Sequence, residues 1–100
     1  MRRRVARVDE IPGGSGFLVE LEDGREVALF RQGRRVFGLD AICPHRGACL
    51  AFGEVREGMV HCPLHAWAFR LDDGSCPEFP GVRVTTYPVS VEGGEVFLEL

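Results

Sequence analysis

The chain contains no lysine: all twelve basic residues are arginine, set against fifteen aspartates and glutamates for a formal net charge of −3. A basic excess is therefore missing, and with it the usual electrostatic footprint of a nucleic-acid module. An arginine-only basic set reads as base composition or heat adaptation of the source. Long apolar runs are also missing, and nothing approaches a membrane-spanning length. The N-terminus opens Met1-Arg2-Arg3-Arg4, but no apolar stretch of an export signal follows, because Arg7, Asp9 and Glu10 interrupt it. The expectation is a soluble cytoplasmic protein with no membrane and no nucleic-acid partner. No stretch of helical length carries an apolar stripe, and there are no repeats or low-complexity segments.

What is present suits one small domain spanning 1–100. Hydrophobic residues make up 45% of the chain, ordinary for a globular protein. A domain this size buries a thin core, so a bound metal centre is a plausible additional staple. Turn signals recur at Pro12-Gly13-Gly14, Glu22-Asp23-Gly24, Gln32-Gly33, Glu57-Gly58, Asp72-Asp73-Gly74 and Gly93-Gly94. Between them, Phe17 to Leu21, Glu26 to Phe30, Arg34 to Leu39, Met59 to Cys62, Val84 to Val91 and Glu95 to Leu100 read as strands. The expected fold class is all-β, an antiparallel sandwich or barrel.

Two stretches depart from this pattern. Ala41 to Ala51 and Cys62 to Pro80 are dense in Cys, His, Pro and Gly, and irregular loops rich in ligand-type residues are where function concentrates. The first holds Cys43-Pro44-His45 and the second Cys62-Pro63-Leu64-His65, a C-x-H and a C-x-x-H separated by sixteen residues. Two thiolates and two imidazoles make a complete four-ligand set. Pro44 and Pro63 fix φ and stiffen each loop, and Gly47 permits a turn that could aim amide N–H groups at sulfur. Without an export signal, four cysteines point to metal or redox chemistry rather than a disulfide scaffold. A zinc-stabilised interaction module is the rival reading, although zinc sites usually pair like ligands within a loop.

The segments Cys43-Pro44-His45-Arg46-Gly47-Ala48 and His61-Cys62-Pro63-Leu64-His65-Ala66-Trp67 resemble the two cluster loops of the Rieske family. The resemblance implies one [2Fe–2S] cluster per chain, with Cys43 and Cys62 on one iron and His45 and His65 on the other. It implies an antiparallel β base carrying a small cluster-binding subdomain, here about 41–79. It also implies a one-electron carrier rather than an enzyme, passing electrons from a flavin-containing reductase to a terminal oxygenase. The alternative is the small subunit of an NADH-dependent nitrite reductase, partnered by its large subunit. Mixed ligation raises the potential, because neutral imidazoles replace two negative thiolates.

Departures from the family's high-potential members are equally informative. Those of cytochrome bc complexes join an extra cysteine from each loop in a disulfide; the matching positions here are Ala48 and Leu64. They also place serine and tyrosine hydroxyls near cluster sulfurs, where this chain has Trp67 and Phe69. Fewer donors to sulfur leave the reduced state less stabilised, so the expected potential lies at the low end of the Rieske range, about −150 mV.

The remaining candidates have plainer readings. Cys49 and Cys76 do not match ligand positions and read as partly buried thiols, with a disulfide between them as the alternative. His61 reads as an ordinary strand residue, and Trp67 as core packing that could also shield the cluster. Arg46, Arg56 and Arg70 read as solvated surface that could steer an acidic partner.

Overall fold

The computed structural model describes residues 2–43, 48–63 and 67–99. Among the described residues, ten strands form three antiparallel sheets. The first sheet has the order β1–β10–β9, built from Arg2–Arg7, Glu95–Glu99 and Val89–Glu92. The second runs β2–β3–β4–β8, from Phe17–Glu20, Glu26–Gln32, Arg35–Asp40 and Thr86–Tyr87. The third is a small meander, β5–β6–β7, from Glu54–Arg56, Met59–His61 and Ala68–Arg70. Among the described residues the helical segments are two three-residue 3-10 turns, Val8–Glu10 and Leu50–Phe52. None of them is long and apolar enough to cross a membrane.

Strand β3 is the wall on which everything hangs. Val27, Ala28, Leu29 and Phe30 are all fully buried, because the two faces of this strand serve two cores. Val27 and Leu29 pack with Ala6, Ile11, Leu21, Val96 and Leu98 between the first two sheets. Ala28 and Phe30 point the other way, into a core shared with Leu39, Leu50, Val60, Phe69, Leu71 and Val84. Successive side chains of a strand face opposite sides, so a continuous apolar run marks a strand covered on both. Burying each of the larger side chains contributes roughly 1.5–3 kcal/mol. Three of the four cysteines, Cys43, Cys62 and Cys76, lie in this second core.

The expected strands are present with small changes of boundary. The long expected run from Val84 to Val91 is two strands, because the chain passes from one sheet to another around Pro88. Tyr87 pairs with Gly38 in the second sheet, and Val89 pairs with Leu98 in the first. Proline cannot donate to a ladder, and it falls at the switch.

Strand β1 was not expected from its arginine-rich sequence. It pairs with β10 with a bulge between Arg4 and Ala6, which interrupts the two-residue alternation that would have revealed it. Its arginines are neutralised along the sheet surface: Arg2 reaches Glu92 at 2.5 Å, Arg3 reaches Glu22 at 2.9 Å and Arg4 reaches Glu95 at 2.6 Å. The Arg2 guanidinium also lies 3.9 Å from the centre of the Phe97 ring.

Candidate metal centre

Cys43 and Cys62 each sit at the mouth of a hairpin. The first hairpin grows from the end of β4: the Ala41 N–H donates to the Glu26 carbonyl at 2.9 Å, and Leu50 N–H donates to the Ala41 carbonyl at 2.6 Å. Ile42 and Cys49 then bridge in antiparallel fashion. The last rung is the Cys43 N–H donating to the Ala48 carbonyl at 2.8 Å. The second hairpin is β6–β7, in which His61 pairs with Ala68. Its last rung is the Cys62 N–H donating to the Trp67 carbonyl at 2.7 Å. In both, a cysteine N–H closes onto the carbonyl five residues ahead, which fixes the cysteine at the root of a short loop.

Cys43 is 1% exposed and Cys62 2% exposed, and the two belong to one buried core. Two loop roots with the same closure each present a buried cysteine, and thiolates of this kind are among the donors an iron–sulfur cluster takes. Pro44, His45, Arg46 and Gly47 of the first loop lie outside the described residues, as do Leu64, His65 and Ala66 of the second. The expected imidazole ligands His45 and His65 are among them.

The roots are held by close backbone packing. Gly53 sits where a Cβ would run into the His61 carbonyl oxygen and come within 3.0 Å of Val60 Cγ2. Gly16 donates its N–H to the Ala51 carbonyl at 2.8 Å, and a Cβ there would come within 2.7 Å of Ala51 Cα. Phe69, one of the positions without a hydroxyl, is fully buried in the core that holds Cys43 and Cys62.

A third loop closes over this end of the molecule. Cys76 N–H donates to the Val82 carbonyl at 3.3 Å, Phe79 N–H to the Cys76 carbonyl at 3.1 Å and Val82 N–H to the Phe79 carbonyl at 2.8 Å. Its base is an Asx turn: Asp73 accepts from the Ser75 hydroxyl at 2.6 Å and the Ser75 N–H at 2.9 Å. The Ser75 hydroxyl and N–H hold the Asp73 carboxyl below the usual carboxylate value. Phe79 at the tip stacks on Trp67 with ring centres 4.2 Å apart and planes inclined by 21°. Phe79 carried no sequence signal, since its ring partner is twelve positions away in a different loop.

The other candidates settle as follows. Cys49 is half-buried and Cys76 buried, and no disulfide joins them. His61 is a half-buried β6 residue paired with Glu54 and Ala68. Arg56 is ion-paired to Glu54, and Arg70 donates to the Ser75 hydroxyl at 3.2 Å, so both are engaged within the chain. Arg46 lies outside the described residues. Burial raises the pKa of Asp40, against a backbone N–H from Ala41 that lowers it.

Known proteins share this fold. A family model described as a Rieske-like [2Fe-2S] domain matches residues 3–99. The 3-phenylpropionate/cinnamic acid dioxygenase ferredoxin subunit of Escherichia coli K12 is 34% identical over 95 residues, covering 93% of this chain and 88% of the relative. The structure of a Mycobacterium tuberculosis protein proposed to be the small subunit of NADH-dependent nitrite reductase superposes with a TM-score of 0.87. It is 35% identical and covers 98% of this chain and 93% of that one. The ferredoxin of carbazole 1,9a-dioxygenase from Nocardioides aromaticivorans IC177 also gives a TM-score of 0.87, at 31% identity and covering 98% and 96% of the two chains.

Proposed function

The chain belongs to the Rieske-like [2Fe-2S] domain family, and from that premise we propose that it is a one-electron carrier, itself not an enzyme, within a multi-component oxidoreductase system. Its electrons come from a flavin-containing reductase and go to a terminal oxygenase. The observation that carries this reading is the pair of matched loop roots, each ending in a buried cysteine whose N–H closes the hairpin. The relatives named as dioxygenase ferredoxin components support the choice of partners.

In this reading Cys43, His45, Cys62 and His65 hold the cluster, and residues 41–79 act as its binding subdomain. When bound, the cluster takes up and gives up one electron. The chain supplies the rest. Cys43 and Cys62 are kept in the dry core, where little water competes for their sulfurs. The Cys43–Ala48 and Cys62–Trp67 rungs set the width of each loop. The apolar side chains Ile42 and Phe52, 40% and 75% exposed, flank the first root, and Phe79, 43% exposed, flanks the second. Exposed apolar residues grouped around a functional end suit transient contact with a partner.

The second reading, a nitrite reductase small subunit held by its large subunit, is favoured by the 35% identity to the Mycobacterium tuberculosis protein. Native purification from the source separates the two. A carrier elutes without a larger partner bearing nitrite reductase activity and accepts electrons from an NADH-driven flavoprotein reductase. A subunit elutes with a larger partner bearing nitrite reductase activity. Reduced chain that a flavoprotein reductase cannot generate under any tested condition would count against the carrier reading.

A further inference from the structure

Most arginines of this chain are engaged within it. Six pair with carboxylates, and Arg31, Arg70 and Arg83 donate to the Ile11 carbonyl, the Ser75 hydroxyl and the Asp73 carbonyl. Among the described residues, Arg34 and Arg35 alone have no oxygen partner in the chain. The Arg35 guanidinium instead lies 5.0 Å from the centre of the Phe37 ring. Both arginines are exposed, and both line a cleft of about 450 Å³ that also takes in Phe37, Val89 and Val91. Asp72 is the one carboxylate on that lining, and it pairs with neither arginine.

The cleft opens where the chain changes sheets at Pro88. Residues of an antiparallel strand alternate in the side to which their N–H and carbonyl point. The two-residue turn Gly33-Arg34 makes Gln32 and Arg35 a bonded pair, so Val36, Gly38 and Asp40 point away from β3. Asp40 N–H donates to the Thr85 carbonyl at 2.8 Å, and Gly38 pairs with Tyr87. Strand β8 ends at Tyr87, which leaves Val36 facing the cleft without a rung. On the other wall, Glu92 pairs with Glu95 across Gly93-Gly94, and Glu99 N–H donates to the Pro88 carbonyl at 3.0 Å. By the same alternation Val89 and Val91 turn their backbone groups away from β10. Strand β9 is thus a sheet edge with two open rungs, and the Val91 side chain beside it is 39% exposed.

We infer that this cleft is a docking site for an extended acidic segment of a partner protein. The segment adds as a strand along β9, bonded to Val89 and Val91, and its carboxylates meet Arg34 and Arg35. Exposed sheet edges bind extended segments in this way: main-chain bonds supply affinity and alternate side chains supply specificity. Charge complementarity selects an acidic occupant, because these two guanidiniums have no carboxylate of their own. The site lies at the head of β4, whereas Cys43 follows its tail. The strand has six residues, which separates head from tail by about 17 Å. A partner held here leaves the root of the first loop uncovered. Binding needs no cluster ligand, so it stands or falls independently of the electron-carrier reading.

The test uses the full holo chain and a fluorescein-labelled peptide of about eight residues, a strand's length, alternating valine and glutamate. Binding is read by anisotropy and located by amide NMR. Saturable binding is expected, with the Val89 and Val91 amides shifted and protected from exchange. Arg35→Glu weakens it roughly tenfold and Arg34→Ala about threefold, whereas Asp72→Asn tightens it. Salt at about 1 M, where screening reaches within about 3 Å, weakens it too. Val91→Pro removes one outward donor, as edge strands tolerate, and abolishes binding, while Val91→Thr retains it. Arg35→Glu stands in if the proline variant does not fold. No saturable binding up to about 1 mM overturns the proposal, as does equal binding of a peptide with glutamine for glutamate or with proline at alternate valines. Shifts at Val89 and Val91 that grow with chain concentration without peptide also overturn it, because the occupant is then a second copy.

Discussion

Replacing Gly53 by alanine adds one methyl group at a position where the backbone itself has no objection. Its φ of −77° and ψ of 159° are extended values open to any residue, so the cost is purely one of space. The new Cβ meets the His61 carbonyl oxygen and lies 3.0 Å from Val60 Cγ2. Neither is the loose end of a flexible chain: the carbonyl belongs to β6, which leads directly into Cys62. Relief requires β5 to move away from β6, across a ladder in which Glu54 pairs with His61, Val55 with Val60 and Arg56 with Met59. Overpacking a fixed site costs about 1–3 kcal/mol, and loosening one ladder hydrogen bond adds about 1 kcal/mol. A total of about 2–4 kcal/mol lowers the midpoint of thermal unfolding by roughly 8–32 °C for a domain of this size. Gly81→Ala is the matched control, because nothing lies within 4 Å of its Cβ. Calorimetry on the cluster-free chain checks both, and iron retention in the holo chain reports the shift of the second loop root. Equal melting temperatures for the two variants would refute the reasoning.

Other perturbations test separate parts of the account. Cys62→Ser removes a donor at the root of the second loop and is expected to abolish iron binding while the β1–β10–β9 and β2–β3–β4–β8 sheets remain, as checked by iron analysis and circular dichroism. Phe69→Tyr places a hydroxyl in the core beside the cysteines. Taking half of the roughly 1.5–3 kcal/mol of a charge-assisted hydrogen bond as selective for the reduced state gives a rise of about 30–60 mV in voltammetry. The parent midpoint itself should fall near the low end of the Rieske range, about −150 mV, and a value above about +100 mV contradicts the lack of hydroxyls at Trp67 and Phe69. Asp73 has a lowered pKa in the fold, so its turn contributes stability above its ordinary value of 3.8 and loses it as pH falls through the folded value. Asp73→Asn should therefore destabilise at pH 7 and make little difference well below pH 3.8 in acid unfolding curves. Arg3→Ala breaks an exposed pair with Glu22 and should cost less than about 1 kcal/mol.

Much of the architecture is written locally. Turn glycines and short β-branched runs mark β2, β3, β4, β6 and β10 because both signals act within a few residues. The root of the first loop is legible for the same reason: Cys43 opens a Cys-Pro-His triplet that stands out without help from distant residues. What escaped is non-local or irregular. Strand β1 hides behind a bulge and a run of arginines whose carboxylate partners, Glu22, Glu92 and Glu95, lie far along the chain. Strands β5 and β7 are three residues each, with no turn signal ahead of them such as the Glu57-Gly58 that precedes β6. The division of one apolar run between two sheets depends on Pro88, whose effect is visible only once both partners, β4 and β10, are in place. The stack of Phe79 on Trp67 exists only because Gly74, Ser75 and Arg83 fold the third loop back onto β7.

The central claim is that the two loop roots hold a mixed-ligand [2Fe–2S] cluster, and EPR of the dithionite-reduced protein tests it most directly, with iron and sulfide counted on the same sample. The account predicts a rhombic signal with a mean g below the free-electron value, two irons and two sulfides per chain, and loss of all three in Cys43→Ser. A colourless, EPR-silent protein carrying one zinc would contradict it and leave a structural module.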